Sequence, residues 1–168
     1  MRIGVTGGTG FIGQYLIRDY GEKYEFIVPV RKKYNVKDNG SYIQSDYSVE
    51  SLKKIFEGCD VVIHLAAKGM PKTQAQLRMS DYIENIVCAN CVLEACKDLG
   101  IAKVICISSK AIWSGISSKQ KLFFKEDDIA YPGDEYGVSK QCVEELVNLY
   151  RNVYGMNTVS YTNLTLPT

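Results

Sequence analysis

Two side chains in the stretch DEYGVSKQCVEEL, Asp134 to Leu146, could work together on a proton: Tyr136 and Lys140. Four residues is about one helical turn, so on a helix both point the same way. Spacing alone leaves packing open, because Tyr and Lys a turn apart are common on solvated helix faces. A second chemistry-bearing stretch lies near the N-terminus. In TGGTGFIG, Gly7, Gly10 and Gly13 follow G-x-x-G-x-x-G spacing between a strand pattern and a helix pattern. Glycine there permits a tight turn, lets backbone approach a pyrophosphate and packs the helix closely, while the helix N-terminus faces the negative charge. Strand, turn and helix in that order predict a dinucleotide site, whereas the glycines alone would fit a flexible loop.

Other candidate groups read as structural. His64 is the only histidine, so a zinc cluster built on histidines is excluded and a Ser-His-Asp hydrolase would depend on it alone. It lies inside VVIHLAA and is expected to be a hydrogen-bonded core imidazole. Glu126, Asp127 and Asp128 fall in a polar loop and read as loop or capping acids. Six cysteines, Cys59, Cys88, Cys91, Cys96, Cys106 and Cys142, sit mostly within apolar-periodic segments and read as reduced core thiols. CANC, Cys88 to Cys91, has metal or redox spacing but lies mid-helix with no second CxxC, so no metal site is expected.

The elements that must position these groups alternate between strand and helix periods, the pattern of a parallel sheet with crossover helices. RIGVTG, YEFIVPV, SYIQSD, DVVIHLAA and KVICISS read as strands. Helices are predicted over Ile12 to Tyr20, Val49 to Glu57 and Ser80 to Leu99, and from near Tyr136; a last strand should begin near Asn157 and Thr158. The fold class is α/β, a Rossmann-like doubly wound parallel sheet with helices on both faces, forming one domain over residues 1–159. A chain of 168 residues, 46% hydrophobic and 23% charged, has the size for one such domain and not two. The net charge of +1, with cations scattered among acids, points to a small-molecule partner, with neither nucleic acid nor membrane as a partner. No apolar run approaches a membrane span and MRIGVTGG enters a strand directly, so a cytoplasmic location is expected.

The end of the second strand normally carries an acid that accepts from a ribose 2'-hydroxyl. This chain reads VPVRKK, and Arg31, with Lys32 beside it, suits a 2'-phosphate through charge-assisted hydrogen bonds. A solvated basic loop is the bland alternative. NADP is modestly favoured over NAD.

VTGGTGFIG, Ser45 with Asp46, VIHLAA, ENIVCANCVLEAC, ISS and YGVSK occur in the order and spacing of the extended short-chain dehydrogenase/reductases, the NAD(P)-dependent epimerase/dehydratase family, which the chain resembles from Met1 to about Val159. The resemblance implies cofactor contacts from Gly7, Gly10, Phe11, Ile12 and Gly13. It implies that Asp46, with Tyr47 beside it, holds the adenine amine, that Leu65, Ala66 and Ala67 line the diphosphate and ribose, and that Asn85 approaches the nicotinamide half. It implies that Tyr136 is the general acid/base, that Lys140 grips the nicotinamide ribose and that Ser109 is their hydroxyl partner, with Ser108 in that place if the register differs by one. A phenol titrates near pH ~10, and an adjacent ammonium with an oxidised nicotinamide would favour the phenolate. Family members also form a four-helix contact through the helices that correspond to those from Ser80 and Tyr136, implying a homodimer, and Glu126 matches a position near the sugar.

Three departures qualify the resemblance. Trp113 stands where the family usually has a tyrosine. Lys110 and Ala111 replace the Asp-Glu pair of the sugar-nucleotide 4,6-dehydratases, which disfavours dehydration. The family continues into a substrate-binding C-terminal region that this sequence is expected to lack, and VSYTNLTLPT resembles the translation of a transposase adapter used for sequencing libraries, differing at Asn163. Residues 160–168 are therefore expected to be a non-native or truncated tail, with a divergent terminus as the alternative. The leading expectation is an NAD(P)-dependent oxidoreductase of the epimerase/reductase type, acting at a secondary alcohol or ketone of a nucleotide sugar or similar metabolite. A reductase of a non-sugar carbonyl and a non-catalytic dinucleotide sensor are the rivals.

Overall fold

The computed structural model describes residues 1–34, 38–69, 78–116, 124–125 and 128–161. Six parallel strands lie in the order β3-β2-β1-β4-β5-β6, built from β1 (Arg2–Thr6), β2 (Glu25–Val30), β3 (Gly40–Gln44), β4 (Val61–His64), β5 (Lys103–Ile107) and β6 (Thr158–Tyr161). The chain crosses over through α1 (Phe11–Tyr20), α2 (Val49–Phe56), α3 (Met79–Leu99) and α4 (Glu135–Tyr154). The order of strands reverses between β1 and β4, which opens a crevice beyond their C-terminal ends. The last strand starts where the sequence places it; Ser160 and Tyr161 complete it, and residues 162–168 lie outside the described residues.

Parallel strands covered on both faces read as apolar runs, as β1 and β2 do: Val5, Phe26 and Val28 are fully buried. Pro29 is accommodated in β2 because the pairing of β2 with β1 ends at Ile27, while Pro29 faces Ile43 of the edge strand β3. One core, centred on Leu52, Phe56, Val92, Leu93 and Val147, fills the space between the sheet and α2, α3 and α4. A smaller one, with Ile17, Phe26 and Val28, packs α1 on the other face. Burying each such side chain contributes about 1.5–3 kcal/mol.

Two strands are shorter than their sequence patterns. β4 stops at His64, before Leu65, Ala66 and Ala67, because its neighbour β1 turns away after Thr6; the Leu65 amide donating to the Thr6 carbonyl at 3.1 Å ends the ladder. β5 likewise ends at Ile107, leaving Ser108 and Ser109 beyond the sheet. These ends are where ligands of such sheets sit.

Candidate functional site

The glycine turn is built by its backbone. Gly7 has φ +72°, a left-handed conformation that costs glycine little, and a Cβ there would stand 2.6 Å from the Ala66 amide nitrogen. A Cβ on Gly13 would meet Gly8 Cα at 2.5 Å, so α1 approaches the turn only because Gly13 has no side chain. The Gly10 amide donates to the Gly7 carbonyl at 2.9 Å, closing the turn just before α1.

A cavity of about 650 Å³ opens beside this turn. Of the expected cofactor residues, Gly7, Gly10, Arg31, Tyr47, Leu65, Ala66, Ala67 and Asn85 line it. Phe11 and Ile12 begin α1 with exposed side chains on its outer apolar groove, so any contact they make with a diphosphate comes from backbone amides. Asp46 is not among the lining residues. Its Oδ1 accepts from the Ser48 amide at 2.9 Å and the Ser48 hydroxyl at 2.7 Å, which lowers its pKa and braces the start of α2.

Asn85 ties three elements together. Buried on α3, it accepts from the Lys68 amide at 2.7 Å and donates to the Lys68 carbonyl at 3.1 Å and the Ser139 hydroxyl of α4 at 3.2 Å. The loop after β4 is thereby fixed to both helices. Below it, His64 Nδ1 and Thr6 Oγ1 are 2.7 Å apart, and Thr6 Oγ1 also accepts from the Ala66 amide at 3.3 Å. Burial, reinforced by the Lys140 charge, pushes the imidazole down to about 3, so His64 is a neutral core group, as its strand position suggested.

At the end of β5, Ser109 caps a 3-10 turn over Lys110–Trp113, its Oγ accepting from the Ala111 amide at 3.2 Å. Asp134 caps α4: its carboxylate accepts from the Gly137 amide at 2.7 Å and from Ser114 Oγ at 2.9 Å. This cap sets Tyr136 in the first turn, where the Ser109 hydroxyl is near enough to the phenol to lower its pKa. Ser109 rather than Ser108 acts on the phenol's pKa, while Ser108 Oγ is buried without a hydrogen-bond partner among the described residues. Lys140, one turn on, is buried with Nζ 5.9 Å from the Tyr136 ring centroid and donates to the Ile107 carbonyl at 2.7 Å.

In the protein by itself the Tyr136 pKa is raised: burial dominates, the Ser109 hydroxyl opposes it, and Asp134 adds to the rise. The Lys140 ammonium points at a carbonyl instead of the phenol oxygen, and burial lowers its own pKa. The chain's own groups therefore hold Tyr136 as a neutral phenol.

Elsewhere, Trp113 is a buried plug stacked 5.5 Å from Phe124, its indole donating to the Asp128 carbonyl at 3.3 Å. Asp128 accepts from the Lys125 amide at 2.7 Å, in keeping with a loop acid, while Glu126 and Asp127 lie outside the described residues. All six cysteines are free, and Cys59, Cys88, Cys96 and Cys106 are buried. Cys88 lines the cavity too, with burial pushing its thiol up to about 11. Sequence reasoning also missed Thr6, Lys68 and Glu84. Glu84 could have been suspected from its place beside Asn85 and one turn before Cys88 on α3.

The chain belongs to the NAD dependent epimerase/dehydratase family, whose profile matches residues 3–166. Among similar proteins, GDP-6-deoxy-D-talose 4-dehydrogenase of Aggregatibacter actinomycetemcomitans is 33% identical, the match covering 95% of this chain and 51% of that one. A putative UDP-glucose 4-epimerase of Methanocaldococcus jannaschii is 29% identical over 90% of this chain and 52% of its own length. Among solved structures, UDP-N-acetylglucosamine 4-epimerase from Bacillus cereus superposes with a TM-score of 0.82 at 29% identity, covering 95% of this chain and 54% of that one. A UDP-glucuronic acid 4-epimerase of Bacillus cereus, in complex with a UDP-sugar and NAD, has a TM-score of 0.82 at 26% identity, covering 96% and 56%. The chain spans about half the length of the curated relatives it matches. No described helix is long and apolar enough to cross a membrane.

Proposed function

We propose that the protein catalyses nicotinamide-dependent hydride transfer at a secondary alcohol or ketone of a nucleotide sugar, as an epimerase or reductase. The observation that carries this reading is the grouping at the end of β5 of the Tyr136 phenol, the Ser109 hydroxyl near enough to shift its pKa, and, one turn on, the buried Lys140. The lining fits a dinucleotide: backbone at Gly7 and Gly10 for the diphosphate, small Ala66 and Ala67 for close approach, and Arg31, Lys32 and Lys33 at the far end. Bound nicotinamide would supply the hydride acceptor or donor, and its positive charge when oxidised would lower the Tyr136 pKa. Tyr136 then takes the hydroxyl proton in oxidation and returns it in reduction, while Ser109 holds the reacting oxygen. Lys140, already directed to the strand end, orients the ribose. Lys110 is exposed and Ala111 is apolar, so neither supplies the acid that dehydration needs.

Arg31 in the acid's usual place favours NADP(H) over NAD(H) in this reading. Ile83 and Val87 on α3 and Val138, Leu149 and Val153 on α4 are exposed apolar side chains that support a homodimer contact through these helices. The test is to follow nicotinamide absorbance when the full-length gene product meets NADPH or NADH and a panel of 4-keto nucleotide sugars. Turnover with a nucleotide sugar and not with simple ketones is expected. Turnover of simple ketones alone would move the assignment to a non-sugar carbonyl reductase, and nucleotide binding without any turnover would favour a sensor.

A further inference from the structure

The acid that usually ends β2 is absent from this chain, yet a carboxylate still reaches the same place. Glu84 Oε2 lies 3.5 Å from Arg31 Nη1, although the two residues are 53 positions apart. Arg31 follows β2 and Glu84 rides on α3, so the pair links two elements that line the cavity. Glu84 is the only carboxylate among the described residues lining that cavity, where Arg31, Lys32, Lys33 and Lys68 provide the opposite charge. The Arg31 guanidinium carbon also sits 5.6 Å from the centroid of the Tyr47 ring, whose hydroxyl is anchored to the Pro29 carbonyl at 2.8 Å. Tyr47, held at φ +64°, lines the cavity, so this aromatic platform is part of its wall.

We infer that Glu84 is a specificity-determining residue that restrains the use of NADP(H), an inference that rests on the proposed dinucleotide site. A ribose 2'-hydroxyl can donate to the Glu84 carboxylate with the Arg31 pair left in place. A 2'-phosphate competes with Glu84 for the Arg31 guanidinium and meets a like charge beside it. Arg31 therefore attracts the phosphate and Glu84 opposes it, so the chain takes both cofactors with only a modest bias. Both side chains are about two-thirds exposed, 62% and 66%, so the opposition is screened and its size depends on salt.

The experiment measures Kd for NADPH and for NADH from the fluorescence of the reduced nicotinamide. It uses the unmodified protein, Glu84→Gln and Arg31→Gln, with the thermal midpoint of each as a folding control. Glu84→Gln keeps the side chain's shape and removes its charge. It is expected to raise the preference for NADPH roughly three- to tenfold at low salt, with the gain shrinking as salt is added. Arg31→Gln is expected to lower that preference. A ratio unchanged within twofold in Glu84→Gln, while Arg31→Gln lowers it, overturns the role of Glu84 and leaves the role of Arg31 standing. No change in either variant overturns both, and failure of the unmodified protein to bind either nucleotide overturns the dinucleotide site itself.

Discussion

Lowering the pH from about 7 to about 5 should destabilise this fold through one residue, His64. The imidazole is buried on β4 against Thr6, with Lys140 of α4 adding an unfavourable charge, and its pKa is pushed down to about 3. In the unfolded chain it titrates near the usual value of about 6.5. Between these values the unfolded state binds a proton that the folded state refuses, so stability is full above pH ~6.5 and falls as the pH drops towards 3. Each pH unit inside that window costs about 1.4 kcal/mol, and integration from pH 7 to pH 5 gives roughly 2 kcal/mol. For a chain of this size that corresponds to a fall in Tm of about 4–8 °C. Asp46, Asp81 and Glu94 have lowered pKa values and act in the same direction, but only as the pH approaches the carboxylate range. Urea unfolding at both pH values, on the protein and on His64→Gln, isolates the histidine: the amide variant should start less stable but lose almost none of the 2 kcal/mol. Parallel losses in the two proteins would refute the reasoning.

Gly13→Ala should weaken dinucleotide binding and lower Tm, because its Cβ would stand 2.5 Å from the Gly8 backbone; overpacking of about 1–3 kcal/mol outweighs the helix propensity alanine adds, and calorimetry with NADH reads both. Asn85→Ala removes three hydrogen bonds from a buried position and should cost roughly 1–3 kcal/mol in urea unfolding. Asn85→Asp should restore little of it, because it retains the acceptor for the Lys68 amide and loses both donors.

The element order was legible because the apolar period switches cleanly between strand and helix, and because buried parallel strands write themselves as unbroken runs such as FIVPV. Strand ends were less legible. Leu65, Ala66 and Ala67 continue the apolar pattern of β4, but pairing ends when the neighbouring strand turns at Gly7, which is a property of β1 and not of the segment itself. The sequence brought Tyr136 and Lys140 into view by their spacing and Ser109 by resemblance, and the structure places Ser109 near the Tyr136 phenol. It could not show that Lys140 points to the Ile107 carbonyl, because that depends on how far α4 packs down behind β5. The Arg31–Glu84 pair was invisible for the same reason: no local spacing connects the end of β2 with the second turn of α3. Asp46 shows the converse, a side chain whose local hydrogen bonds with Ser48 decide where it points.

The most direct test of the central claim is Tyr136→Phe in the full-length gene product, with turnover and NADPH affinity measured side by side. The account predicts a fall in kcat of about two to four orders of magnitude, the usual worth of a positioned acid/base. Cofactor Kd should change little, since the ring packed against Tyr82 and the Lys140 contact both remain. Turnover within a few-fold of the unmodified protein would make Tyr136 a packing residue and contradict the account.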